Sequence, residues 1–302
     1  MNLNEIAERR SWRIENHGRS GGHIEISAWD FGGTGEIAYL QHANGLCGAL
    51  WALVAQRLKE RFHVIAVDCR GHGDSQALIV PDDYGWDVMV ADIDLVTREL
   101  LRETGEQQIA LGVGSSFGGI LLAGAQAQSP DRFQKLVMLD PPIHPSPEVI
   151  AQMGVDFEPP PATREGLVEQ TLKRKYIWES RAAARIGWRE KPLFAPWQDA
   201  AFDLYLNEGM RDREDGQVEL KCHPTVEAHV FATTGSLGLF DYAPNVQIPV
   251  ELVHAEQGFF SHEFYRHIAA AFPDCHLSQL PAGHMLPLEI PGSVADFILD
   301  KA

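Results

Sequence analysis

Several features are missing from this 302-residue sequence. Lysine and arginine number 25 against 42 aspartates and glutamates, giving a formal net charge of −17, and no stretch is strongly basic. Neutralising a phosphate backbone needs clustered cations, so nucleic acid is excluded as the main partner. The acidic balance itself speaks only to solubility. No apolar run is long enough to span a bilayer, so no membrane partner is expected. The opening stretch MNLNEIAERRSWRIENHG lacks the apolar centre of a signal peptide. Cys47, Cys69, Cys222 and Cys275 form no CxxC pair, which points to scattered thiols in a reducing compartment and no metal knot. A cytoplasmic location is the expectation. No internal repeat or low-complexity tract is present.

What remains is an ordinary enzyme-sized composition, 45% apolar and 22% charged, with enough chain for a substantial core. From Ile24 onward, short apolar runs alternate with segments of helical period. HIEISAWDF alternates as a half-buried strand does, and EIAYLQHA reads as a second strand. HVIAVDCR, QIALGVG and FQKLVMLD are continuous apolar runs, the mark of strands covered on both faces. Between them, Leu50, Leu53, Val54 and Leu58 share one helix face, and Val88, Val90, Ile93, Val96 and Leu100 share another. After Asp140 the texture changes to proline-rich connections and amphipathic segments, and the strand–helix alternation returns after Pro244. The expectation is an α/β fold: a mostly parallel, doubly covered sheet built from residues 1–141 and 245–302. Residues 142–244 would form a helical cap, inserted after the strand ending at Asp140 and lying over the carboxyl ends of the strands.

The stretch Gly114–Ser115–Ser116–Phe117–Gly118 matches G-x-S-x-G, with Ser116 alone at the centre. A predicted strand precedes it and a predicted helix follows. In that context the serine sits on a strained turn with its hydroxyl exposed, and the glycines avoid collisions with the neighbouring strand and helix. Ser115 reads as a local packing residue.

With the elbow in place, the sequence resembles the α/β-hydrolase fold family over nearly its whole length, from about His23 onward. LQHANGLCGALW is similar to the family's His-Gly loop, VDCRGHGDS to its Asp-x-Arg-Gly-His-Gly-x-Ser turn, and LPAGHMLPLEIPGSVADFI to the segment that carries its histidine. The resemblance implies a serine nucleophile at Ser116 and a base at His284, chosen from thirteen histidines. It also implies oxyanion donors from the backbone N–H groups of Phe117 and Asn44. Ala43 stands where the family usually has glycine. His42 and His72 read as loop and turn builders, and Asp68 and Asp74 as braces of the arginine-containing turn. His262 and His267 are five residues apart, off a common helix face, and read as surface residues.

The acid is open between two residues. The family's usual aspartate position falls at about Gly258, which cannot serve. Asp140, at the end of KLVMLD, is the first candidate because some family members carry their acid there; Glu256 is the alternative. The resulting expectation is a serine hydrolase that cleaves small or medium carboxylic esters through an acyl-enzyme. No cofactor or metal is called for, the partner is a small ester-like molecule, and a homo-oligomer is possible. Carbon–carbon bond hydrolase, lactonase, thioesterase and non-catalytic small-molecule binding are the alternatives. Tyr176, Trp178, Trp188, Phe194, Trp197, Phe202 and Tyr205 are expected to include walls of the pocket.

Overall fold

In the central strands both alternating sets of side chains are apolar, and each set finds its own layer of helices. Val137 and Leu139 point into one core and Leu136 and Met138 into the other. That two-sided burial explains the continuous apolar runs. The structure is a computed structural model that describes residues 2–142, Ala151, 163–233 and 238–302.

Along the chain the strands are β1 (Glu8–Glu15), β2 (His23–Gly32), β3 (Ile37–Gln41), β4 (His63–Val67), β5 (Leu111–Ser115) and β6 (Leu136–Leu139). Three short ones follow, β7 (Ile177–Trp178), β8 (Met210–Asp212) and β9 (Val218–Leu220), and then β10 (Val250–Gln257) and β11 (Cys275–Gly283). Eight of these form one sheet in the order β1-β2-β4-β3-β5-β6-β10-β11. β1, β2 and β4 pair antiparallel, and every pairing from β4 to β11 is parallel.

The first three helices are α1 (Ala52–Leu58), α2 (Trp86–Thr104) and α3 (Phe117–Gln128). Between β6 and β10 come α4 (Arg164–Leu172), α5 (Arg181–Trp188), α6 (Asp199–Glu208), α7 (Pro224–Ala232) and α8 (Leu239–Tyr242). The chain ends with α9 (His262–Ala269), α10 (Leu286–Glu289) and α11 (Pro291–Lys301). α1, α10 and α11 cover one face of the sheet, and α2, α3 and α9 the other. The five apolar residues expected on one face of α2 are all buried.

Two regions differ from the reading of the sequence. β1 was not foreseen: Trp12 and Ile14 are buried, but the flanking Glu8, Arg9, Arg10, Arg13 and Glu15 hide that alternation. Such a charged strand suits a sheet edge, where it blocks further pairing. The segment between β6 and β10 is not purely helical either, because β7, β9 and β8 form a small antiparallel sheet. Strands of two or three residues are too short to show a period of two.

β3 has β4 on one side and β5 on the other, so the chain reverses its direction of travel across the sheet there. Open α/β sheets bind ligands at the carboxyl ends of strands beside such a switch point. The loops after β3, β5, β6, β10 and β11 all emerge at that edge.

Candidate active site

Ser116 follows the last residue of β5 and precedes the first of α3, with φ 55° and ψ −127°. A non-glycine residue at positive φ costs on the order of 1–3 kcal/mol and persists only where the surroundings hold it. Two main-chain hydrogen bonds do so: Ser116 N–H donates to Leu139 O at 2.8 Å, and Gly119 N–H donates to Ser116 O at 3.0 Å. The flanking glycines make the turn sterically possible. A Cβ at Gly114 would lie 2.3 Å from Gly119 N, and one at Gly118 2.5 Å from Gln41 O. Ser115 stays within β5, paired with Leu139.

Asp140 leaves the neighbouring strand β6 with φ 45°. Its N–H donates to Val253 O at 2.7 Å, and its Oδ1 accepts the N–H of Ala255 at 2.9 Å, so β10 holds both its backbone and its side chain. The carboxylate is 1% exposed, yet both oxygens are occupied, because His284 Nδ1–H donates to Oδ2 at 2.6 Å. On the other side of the ring, His284 Nε2 lies 2.9 Å from Ser116 Oγ. Ser116, His284 and Asp140 thus form one unbroken relay. Glu256 lies exposed near the end of β10, and the structure brings Asp140, not Glu256, to His284.

Gly258 leaves room for the Asp140 carboxylate at the end of β6. A Cβ there would come within 2.7 Å of Asp140 Oδ2 and 2.9 Å of Oδ1. The carboxylate of Asp140 therefore fills the space into which a side chain at 258 would project. Tyr265 braces the same corner, its hydroxyl donating to Pro141 O at 3.0 Å. Burial, with the Asp140 charge beside it, pushes the Tyr265 phenol well above its ordinary value, so it stays protonated.

His284 is fixed by a residue the sequence reading passed over. The Glu289 carboxylate accepts N–H groups on both sides of the histidine, Gly283 N at 2.7 Å and Met285 N at 3.1 Å. The Phe259 ring sits 4.5 Å from the imidazole, centroid to centroid.

The loop after β3 carries Ala43 and Asn44. His42 Nδ1–H donates to Ala43 O at 2.8 Å, leaving Nε2 to accept the N–H of Cys69 at 2.9 Å. Burial and the neighbouring His72 push His42 down to about 3, which matches a neutral ring. Burial likewise pushes His72 down to about 4. With one ring proton, His72 can donate to only one of the two oxygens it faces, Arg70 O at 3.0 Å and Asn44 Oδ1 at 3.1 Å. The turn below is anchored by Arg70, fully buried and bidentate to Asp92 at 2.5 and 2.6 Å. Asp68 braces the turn, accepting the N–H groups of Gly48 (2.6 Å) and Asp74 (3.0 Å), whereas the Asp74 side chain reaches out to Lys221 at 2.7 Å. Phe117 opens α3, so its N–H has no partner within the helix. Asn44, Phe117, Ser116 and His284 all border one cavity of about 290 Å³.

The family model described as the alpha/beta hydrolase fold matches residues 39–289, which include every loop of this site. The chain belongs to the α/β-hydrolase fold family. Among curated proteins, a pimeloyl-[acyl-carrier protein] methyl ester esterase of Aliivibrio salmonicida is 28% identical over 126 residues, 42% of each chain. An N-formylmaleamate deformylase of Pseudomonas putida is 34% identical over 114 residues, 37% of this chain and 40% of that one. The match therefore spans less than half the length of these relatives. Among solved structures, E-2-(acetamidomethylene)succinate hydrolase superposes with a TM-score of 0.73 at 20% identity, covering 97% of this chain and 98% of that one. At that identity the likeness concerns the fold alone.

Within this α/β-hydrolase frame, the pocket walls are not the aromatics expected from the inserted segment. Trp178, Trp188, Phe194, Trp197, Phe202 and Tyr205 pack against one another, and Tyr176 packs against His223. Among the described residues, the aromatic walls are Trp86, Phe117, Phe231, Phe259 and Phe260. Phe231 alone of these belongs to the insertion, on the amphipathic TVEAHVFATT segment. Glu289 gave no motif signal, because its role depends on a tight turn that brings position 289 back to position 284. Among the described residues, no group of three or more His, Cys, Asp or Glu is placed to hold a metal ion, and no helix is long and apolar enough to cross a membrane.

Proposed function

We propose that the protein is a serine hydrolase that cleaves small or medium carboxylic esters through an acyl-enzyme intermediate. The observation that carries this reading is the relay from Ser116 through His284 to Asp140, at 2.9 and 2.6 Å, opening onto a largely apolar cavity. A serine hydroxyl needs a base within hydrogen-bond reach to act as a nucleophile. Here His284 Nε2 takes the proton as Oγ attacks the carbonyl, and Asp140 holds the Nδ1–H tautomer and stabilises the charged ring. The N–H groups of Phe117 and Asn44 donate to the oxyanion, with the positive end of α3 adding to the field. His284 then protonates the leaving alcohol and activates water to release the acid.

The names of the relatives, a methyl ester esterase and a deformylase, support hydrolysis at a carbonyl. The Pseudomonas relative, by its name, removes a formyl group, so cleavage of an amide-type C–N bond is the second reading for this chain. Hydrolysis of p-nitrophenyl esters from acetate to octanoate by wild type and Ser116→Ala tests the first. Turnover by the wild type with a loss of about 10³-fold or more in the variant is expected. Equal activity of the two proteins would remove Ser116 from the mechanism.

A further inference from the structure

We infer that the cavity over Ser116 admits only groups without a negative charge, so that the ester it takes joins an uncharged, largely apolar acid to an uncharged alcohol. The inference rests on the esterase reading and narrows its substrate class. Among the described residues that border the cavity, the charged or titratable side chains are Glu227 and His284, and none is lysine or arginine. Arg174, the guanidinium beside Glu227, is already engaged. Its Nη1 lies 2.6 Å from Glu227 Oε2, and its Nη2–H donates to Tyr205 OH at 2.5 Å. In residues 143–150, 152–162 and 234–237 the one basic side chain in the sequence is His144. Those stretches contain no lysine or arginine, and they carry Glu148, Asp156 and Glu158.

Away from the Phe117 and Asn44 N–H groups and the Thr171 hydroxyl, the wall is apolar or internally satisfied. Trp86 Nε1–H donates to Val230 O at 2.9 Å, and Leu167, Phe231 and Phe260 offer hydrocarbon. A carboxylate moved into that apolar part loses its hydration without gaining a partner. An alkyl or aryl group gains burial at the same place.

Covalent probes separate this inference from the reading beneath it. An octyl fluorophosphonate is compared with its analogue bearing a carboxylate at the far end of the chain. In either, Ser116 Oγ forms a bond to phosphorus, fluoride leaves, and the serine proton passes to His284. Labelling of Ser116 is followed by mass spectrometry at neutral pH. The octyl probe is expected to react about 30-fold faster or more, as befits an unpartnered buried charge. Glu227→Gln, which leaves Arg174 without its carboxylate, should narrow that ratio about tenfold. Leu193→Arg, which adds a cation at a half-exposed position on the cavity wall, should narrow it too and stands in if the first variant does not fold. Equal labelling of the wild type by both probes overturns the inference and leaves Ser116 as a nucleophile. Labelling by neither probe overturns the esterase reading, and this inference with it.

Discussion

Two strand ends lie side by side in the sheet, and both turn out of it through a residue at positive φ: Ser116 after β5 and Asp140 after β6. They are held in opposite ways. The Ser116 corner, beyond its two main-chain hydrogen bonds, depends on empty space, because Gly114 and Gly118 lie where any Cβ would strike main chain. The Asp140 corner depends on hydrogen bonds, its backbone and carboxylate both tied to β10 and its second oxygen tied to His284. A corner made by leaving atoms out shows as glycines in the sequence. A corner made by long-range hydrogen bonds looks like any other aspartate.

The largest effect should come from Asp140→Asn. The amide oxygen can still accept from Ala255 N–H, but its NH₂ then faces His284 Nδ1 and imposes the wrong tautomer. A drop of about 10³–10⁴-fold in kcat, with Tm within a few degrees of wild type, is expected from steady-state kinetics and thermal unfolding. A large fall in Tm with activity retained would make that corner a merely structural one.

Gly114→Ala should break the other corner in the opposite sense, through stability. Its Cβ would press on Gly119 N, and a loss of about 3 kcal/mol is expected in denaturant titrations, with activity falling alongside.

The two loops that carry His42 and His72 should respond to acid. His42 and His72 are held neutral, at about 3 and about 4, below the ordinary histidine value near 6.5. The unfolded chain therefore binds more protons than the native one between about pH 4 and 6.5, and stability falls as pH drops through that window. Asp68, pushed up to about 6 by burial, works against this trend. Unfolding titrations at pH 7 and pH 5 should show His72→Gln removing about 2 kcal/mol of the acid-induced loss. An unchanged pH slope would mean that His72 takes up its proton as readily in the native state as in the unfolded chain.

The smallest effect sharpens the comparison most. Gly258→Ala places a methyl group against the Asp140 carboxylate, and about a tenfold loss of kcat with little change in KM or Tm is expected. No change at all would mean that the carboxylate has room to spare.

Legibility follows from the range of the forces involved. Where local sterics govern, as at the elbow and in the strands buried on both faces, the amino-acid pattern carries the information. β1 escaped notice because its charges serve the sheet edge, and β7–β9 because they are too short to have a period. Gly258 and Phe259 support the relay from the loop after β10 and Glu289 from the end of α10, and no spacing links them to Ser116.

The amino-acid sequence alone determined the doubly covered sheet, the glycine-framed turn at Ser116 and the histidine at 284, because each depends on contacts within a few residues or on a repeating pattern of burial. Only the tertiary structure brought Asp140, and not Glu256, against His284, and only it drew the cavity walls from Trp86, Phe231, Phe259 and Phe260. Those outcomes depend on which strand ends the sheet order makes neighbours. Hydrogen bonds between residues more than a hundred positions apart leave no periodic trace along the chain.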